Sequence, residues 1–133
     1  MNRLPDWLDR LNAVVESCAD RRFEWGAFDC AHFVAQCVDA MCSDSGARAC
    51  LLYQDERAAL KWIKEGGGIK AIATSLLGDP VPWGLVRRGD VMLMDNCGRN
   101  ALGICLGSHV VLPAPRGLSY LRAADGLCGW RVG

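Results

Sequence analysis

The chain has 133 residues, of which 51% are hydrophobic and 23% are charged, so it has the size and composition of one folded domain and not of a disordered protein. Its 15 basic and 15 acidic residues balance, which argues against nucleic-acid binding, because contact with the phosphate backbone needs clustered positive charge. No apolar run approaches the roughly 18–20 residues of a membrane span, and the first residues are too polar for a secretory signal peptide.

The first half of the chain has the hydrophobic periodicity of helices. Apolar residues recur at spacings of three and four over Leu4–Arg22, which predicts an amphipathic helix. Asp29 is a residue type that caps helix N-termini, and a second helix is predicted from Cys30 to Cys42. That helix is apolar on nearly all sides, so we expect it to be central and buried. Two further helices are predicted over Asp55–Lys64 and Ile69–Leu77, each ended by glycine.

After Arg88 the pattern changes to short apolar runs separated by turn residues. The predicted strands are Val91–Met94, Leu102–Leu106, Val110–Leu112, Leu118–Leu121 and Leu127–Val132. Helices followed by strands predict an α+β domain with N-terminal helices packed on a C-terminal antiparallel sheet.

Eight cysteines are interpreted mainly as small, buried hydrophobic residues. Without a secretory signal, we expect folding in a reducing cytosol, where disulfides are rare. No two cysteines have the Cys-x-x-Cys spacing of zinc and redox sites, so we predict neither a metal ion nor another cofactor. The five tryptophans are interpreted mainly as core anchors, and Trp83 and Trp130 are alternatively candidate interface residues, because tryptophan is enriched at binding hot spots.

Cys30 is the exception among the cysteines, because it stands where the second helix is predicted to begin. Free backbone N–H groups and the helix dipole favour a thiolate there, so we expect the pKa of Cys30 to be lowered and the thiol to be nucleophilic. A cysteine hydrolase also needs an imidazole beside the sulfur and a group that orients the imidazole.

Three motifs surround this cysteine in the chain. A Trp-Gly-x-x-Asp-Cys motif ends at Cys30, a Gly-Asp-Val motif lies in Arg88–Val91, and a Leu-Gly-Ile-x-x-Gly motif lies in Ala101–Gly107. In order and rough spacing they resemble the NlpC-type cysteine peptidases, papain-like enzymes that cut peptide bonds in bacterial cell walls. Over Leu4–Val132 the chain is also similar to a family of small phage and prophage proteins encoded among tail genes. The resemblance implies one NlpC-like, papain-like domain over residues 1–133.

The resemblance also implies that Cys30 occupies the nucleophile position without its catalytic partners. In the active peptidases the Leu-Gly-Ile strand begins with the catalytic histidine, and the corresponding residue here is Ala101. The next polar member of the triad falls near Pro113, which cannot serve either. Neither side chain can accept a proton from a thiol or protonate a leaving amine.

Only two histidines can substitute for the missing base. His32 lies two residues beyond Cys30 on the same predicted helix, and side chains at that spacing point to different faces. His109 follows a predicted turn and is the remaining candidate base, although a turn tip is usually remote from a site in mid-sheet.

The function expected from this resemblance is that of a structural or assembly protein of a phage or prophage tail tip or baseplate, with a degenerate and non-catalytic peptidase fold. Its partners would be other tail-hub and tail-tip proteins, and it would reside in the host cytoplasm during assembly and then in the virion tail. One alternative is an active cysteine hydrolase of peptidoglycan peptides that acts in host cell-wall penetration, with Cys30 as nucleophile and His109 as base. Another is a peptide-binding module that holds an extended chain in the former protease cleft.

Overall fold

Four α-helices precede a five-stranded antiparallel sheet in the computed structural model, which describes residues 1–133. The helices are α1 (Trp7–Ser17), α2 (Cys30–Met41), α3 (Glu56–Glu65) and α4 (Ile69–Leu77). The strands are β1 (Val91–Asn96), β2 (Arg99–Cys105), β3 (His109–Pro113), β4 (Leu118–Arg122) and β5 (Cys128–Trp130), in the spatial order β4-β3-β2-β1-β5. The predicted α+β class and the antiparallel sheet are confirmed.

The first helix is shorter at both ends than its apolar periodicity predicted. Leu4 lies outside α1, and its N–H donates to the carbonyl of Met41 at 2.8 Å. At the other end, Arg22 forms an isolated β-bridge with Arg116 instead of continuing the helix. Tertiary backbone hydrogen bonds therefore replace helical ones at these two ends, and periodicity alone does not report them.

Helix α2 lies at the centre of the core, as predicted. Seven of its residues are buried, and five of them, including Phe33 and Cys37, pack in one cluster with the helix-facing side of the sheet. Because side chains alternate along a strand, Met92 and Met94 of β1 point to the other face and form a second, smaller cluster with Val110. The sheet is therefore covered by helices on one face and by a thin layer of its own side chains and turns on the other.

Asp90 joins the N-terminal segment to the beginning of β1. It is only 3% exposed. Its carboxylate accepts hydrogen bonds from Arg3 Nη2 at 2.8 Å, from the backbone N–H of Arg87 at 2.9 Å and from that of Val132 at 3.1 Å. The guanidinium of Arg3 also lies over the ring of Trp7, 4.2 Å from its centroid. This buried ion pair holds both chain ends against the sheet.

The cysteine interpretation is confirmed for five residues and wrong for two. Cys18, Cys37, Cys42, Cys105 and Cys128 are buried and unpaired. Cys50 and Cys97 are exposed, because Cys50 ends a short 3₁₀ turn in the loop after α2 and Cys97 is in the two-residue turn between β1 and β2.

The two candidate interface tryptophans have opposite environments. Trp130 is fully buried, and its indole N–H donates to Thr74 Oγ1 at 3.3 Å, so its interpretation as a core anchor is confirmed and the alternative interface role is wrong. Trp83 is 48% exposed and stays a candidate interface residue.

The longest helix has 12 residues, and no helix combines the length and apolar character needed to cross a bilayer.

Candidate functional site

The Trp-Gly-x-x-Asp-Cys motif fixes the position of Cys30 at the first turn of α2. Asp29 caps the helix: its Oδ1 accepts from the N–H of His32 at 2.8 Å and its Oδ2 from that of Gly26 at 3.0 Å. Gly26 has φ +84°, and a Cβ there would lie 2.5 Å from the backbone carbonyl carbon of Gln54. The glycine is therefore required by both conformation and space, and the aspartate by the cap.

Strand β2 divides its backbone hydrogen bonds between its two neighbours. The N–H of Cys105 donates to the carbonyl of Asp90 at 2.9 Å, towards β1. The N–H of Leu106, just beyond the strand, donates to the carbonyl of His109 at 2.8 Å, towards β3. Because these directions alternate along an antiparallel strand, odd-numbered residues of β2 bond to β1 and even-numbered residues face β3.

The ladder between β2 and β3 ends early, and the gap that follows holds the Cys30 sulfur. Its last pair towards the start of β2 is Ile104 with Val111. The next pair would join Leu102 to Pro113, but proline has no N–H to donate. The backbone N–H of Leu102 instead acts on the Cys30 sulfur and favours its thiolate.

Burial raises the pKa of the Cys30 thiol above its ordinary value, so the predicted lowering is wrong. The negative charge of Asp29 acts in the same direction as burial. The N–H groups of Leu102, Ala31 and Cys30 itself favour the thiolate, as a helix N-terminus should, but their effect is smaller. Cys30 is partly buried, and its loss of contact with water outweighs the helix dipole.

Cys30 lines a cleft of about 580 Å³, which we call the Cys30 cleft. Its volume is in the range of ordinary ligand sites. The aromatic rings of Phe23 and Trp25 form one wall, and the β1–β2 hairpin forms another. Further lining residues are Asp29, Ala31, Tyr53, Leu60, Ile63, Gly68, Ile69, Asn96, Gly98, Arg99, Asn100, Ala101, Leu112 and Pro113.

The two positions where the resemblance places catalytic partners both line this cleft. They hold Ala101 and Pro113. Ala101 pairs with Met94, and paired residues share a sheet face, so the side chain of Ala101 lies on the face opposite to that of Leu102. Ala101 still lines the cleft, because it lies beyond the end of the ladder between β2 and β3. No histidine is among the lining residues. The thiol therefore has no imidazole among the residues that line this cleft.

His32 is held by Asp29 outside the cleft lining. Its Nδ1 lies 2.9 and 3.0 Å from the two carboxylate oxygens, and its ring meets that of Tyr53 edge-on, with the centroids 4.9 Å apart. Burial and the Asp29 carboxylate raise the pKa of the Tyr53 phenol, so it stays a neutral hydroxyl. His32 is thus part of the structure that supports the helix cap.

His109 and Cys30 are not brought together by the fold. His109 is exposed at the beginning of β3, where its Nδ1 lies 2.9 Å from Ser108 Oγ, and it lines a different, open depression. It lies opposite Leu106, and the five-residue step along β2 from Ala101 covers roughly 16 Å at about 3.3 Å per residue. The base of the hydrolase alternative is therefore at the far end of the sheet from the thiol.

Sequence reasoning assigned no role to several residues of the cleft. Phe23 and Trp25 stand in the motif segment, and their rings pack edge to face with centroids 5.1 Å apart. Tyr53 comes from a loop without periodicity, and Arg99 and Asn100 from the β1–β2 hairpin. Of these residues, only Phe23 and Trp25 could have been proposed from the sequence, because they lie at the start of the Trp-Gly-x-x-Asp-Cys motif.

No curated protein and no solved structure is similar enough to match the chain. A family described as a domain of unknown function, DUF6950, matches over residues 2–132. Because this match covers nearly the whole chain, the chain belongs to the DUF6950 family.

Proposed function

We propose that this chain is a structural or assembly protein of a phage or prophage tail tip or baseplate, built on an NlpC-like, papain-like fold that no longer catalyses hydrolysis. The motif resemblance suggests the fold and the tail. The arrangement of a buried helix with a cysteine at its head, packed on an antiparallel sheet, is consistent with this fold. Its partners would be other tail-hub or tail-tip proteins, met in the host cytoplasm during assembly.

The observation that carries the loss of catalysis is the composition of the Cys30 cleft. The thiol lines the cleft, but Ala101 and Pro113 stand where the resemblance places its partners. Peptide hydrolysis by a thiol needs a base to form the thiolate and an acid to protonate the leaving amine. Burial of the sulfur raises the pKa of Cys30 and so lowers the fraction of thiolate that forms without a base.

Exposed apolar side chains support a role in assembly. Trp83, Leu85 and Leu127 are each about half exposed, at 48%, 53% and 53%. They belong to the turns beside the β5 edge, where Val81 pairs with Gly129 in an isolated bridge. Large apolar residues that stay in contact with water are typical of protein–protein interfaces.

One observation favours the active hydrolase as the second candidate. Cys30 lines a cleft large enough for a peptide, and a neighbouring chain could supply the imidazole that this chain lacks there. The substrate would then be a peptidoglycan peptide, cut during cell-wall penetration.

The test uses a phage or prophage that carries this gene. We expect deletion of the gene to remove infectious particles, purified tails to contain the chain by mass spectrometry, and Cys30→Ala to restore the titre as well as the wild type does. Cys37→Ala is the matched control, because Cys37 is another buried cysteine of α2 and reports the cost of removing a buried sulfur. If Cys37→Ala restores the titre but Cys30→Ala does not, and the wild type cleaves peptidoglycan peptides, the hydrolase candidate replaces our proposal.

A further inference from the structure

The edge of β2 that faces the Cys30 cleft has backbone groups without a strand partner. Even-numbered residues of β2 face β3, and the ladder with β3 ends before Leu102. The N–H of Leu102 acts on the Cys30 sulfur, and Asn100, the next even-numbered residue towards the start of β2, lines the cleft, so its N–H and carbonyl face the cleft instead of a strand. An extended chain satisfies such a donor and acceptor pair by adding to the sheet.

The walls of the cleft suit side chains that alternate on an added strand. Phe23 and Trp25 present an aromatic wall, and Phe23 is 36% exposed. An extended segment advances about 3.3 Å per residue, so Arg99–Ala101 gives room for roughly three residues beside β2. An apolar side chain of that segment can bury against the aromatic wall, which adds specificity to the affinity of the main-chain hydrogen bonds.

The charge of the cleft selects an acidic segment. Arg99 lines the cleft and is exposed, and it forms no salt bridge with any carboxylate of the chain. The only carboxylate in the lining, Asp29, is 1% exposed and is occupied by its cap hydrogen bonds. A carboxylate on the bound segment would complement Arg99.

We propose that the Cys30 cleft binds an extended, acidic segment of a partner protein as an added β-strand, with hydrogen bonds to the backbone of Asn100 and a carboxylate against Arg99. This proposal deepens the assembly role and rests on it for the class of partner. Backbone groups at strand spacing recognise a peptide main chain, whereas one arginine is too little positive charge for a nucleic-acid site.

The test selects binders from a display library of random heptapeptides and then measures the synthetic peptides by titration. Asn100→Pro removes the N–H that faces the cleft without removing a hydrogen bond of the ladder to β1, and Asn100→Ala is the matched control for loss of the side chain. We expect the selected peptides to carry Asp or Glu, to bind the wild type and Asn100→Ala alike, and to bind Asn100→Pro about tenfold more weakly, as loss of a backbone hydrogen bond predicts.

Two further measurements make the test independent of how Asn100→Pro folds. N-methylation of the peptide, one residue at a time, should weaken binding about tenfold at the residue opposite Asn100. Arg99→Gln should weaken the acidic peptides about threefold and remove their preference over the Asn or Gln analogues. Arg131→Gln is the matched control, because Arg131 is also exposed and forms no salt bridge but lies outside the cleft.

The proposal is overturned if no library peptide binds, if the amide resonance of Asn100 does not shift on binding, or if neither Asn100→Pro nor N-methylation weakens binding. It is also overturned if a synthetic cell-wall stem peptide binds at Asn100 in preference to every selected peptide, because the occupant is then cell-wall material. Failure of the tail role is a separate result: the peptides bind as expected, but deletion of the gene leaves the tails intact.

Discussion

The reactivity of Cys30 towards iodoacetamide, followed from pH 5 to pH 10, is the most direct test of whether a base acts on this thiol. Burial raises the pKa of this thiol, and no imidazole lines the cleft. We therefore expect the alkylation rate to rise with pH and to show no plateau below about pH 9, because only the thiolate reacts. Peptide mass spectrometry resolves the sites, and the exposed thiols of Cys50 and Cys97 give the rate of an accessible cysteine in the same sample.

The magnitude follows from two opposing effects. A thiol with a pKa of about 8.5 is about 3% thiolate at pH 7, and each unit of upward shift lowers that fraction about tenfold. The intrinsic nucleophilicity of the thiolate rises about threefold per unit, from a Brønsted coefficient of about 0.4–0.5. The net rate at pH 7 therefore falls only about threefold per unit. Because this change is small, the midpoint of the pH profile is the decisive quantity and the single rate is not.

Ala101→His supplies the missing group at the position that the resemblance assigns to it. We expect an imidazolium in the cleft to lower the pKa of Cys30 by about 1–3 units and to add a second inflection near the histidine pKa. Ala101→Gln is the matched control, since glutamine adds a polar side chain of similar size without a proton acceptor in this range.

Two outcomes would refute this reasoning. If the alkylation rate of wild-type Cys30 reaches a plateau with its midpoint at or below pH 7, a base acts on the sulfur. The active hydrolase would then be the better proposal. Identical profiles for Ala101→His, Ala101→Gln and the wild type would mean that position 101 does not communicate with the thiol, and the NlpC-like correspondence would fail.

The remaining predictions concern the framework and the second histidine. Asp90→Asn should lower the free energy of unfolding in urea by about 3–5 kcal/mol, because it breaks a buried ion pair, whereas Asp125→Asn, in an exposed pair, should cost at most about 1 kcal/mol. An equal loss of unfolding free energy in the two variants would contradict a stabilising role of the buried Arg3–Asp90 ion pair. Gly26→Ala should destabilise by roughly 2–4 kcal/mol, from positive φ and overpacking, and Gly46→Ala by about 1–2 kcal/mol, since a Cβ there meets nothing within 4 Å. A smaller loss at Gly26 would refute the steric argument. His109→Ala should leave the pH dependence of Cys30 alkylation unchanged, and a changed pH dependence would support His109 as the base.

Local features of the chain were enough to predict the elements that frame the site. The prediction of α4 matches the structure at both ends, and that of α2 differs by one residue at its end. The signals used for them, apolar periodicity, the Asp29 cap of α2 and Gly78 after α4, each lie within or next to the helix that they define. The ends of α1 could not be predicted in this way. They depend on the hydrogen bond between Leu4 and Met41 and on other contacts between residues far apart in the chain.

The same division applies to the site. The motifs alone identified Cys30 as the residue at the head of the central helix, and the absence of histidine at position 101 is a plain fact of the chain. Only the tertiary structure decided the state of the thiol and the shape around it. The pKa direction depends on how completely β2 covers the sulfur, and the free edge at Asn100 depends on where β3 separates from β2. Both are properties of segments that meet only on folding, so no local pattern encodes them.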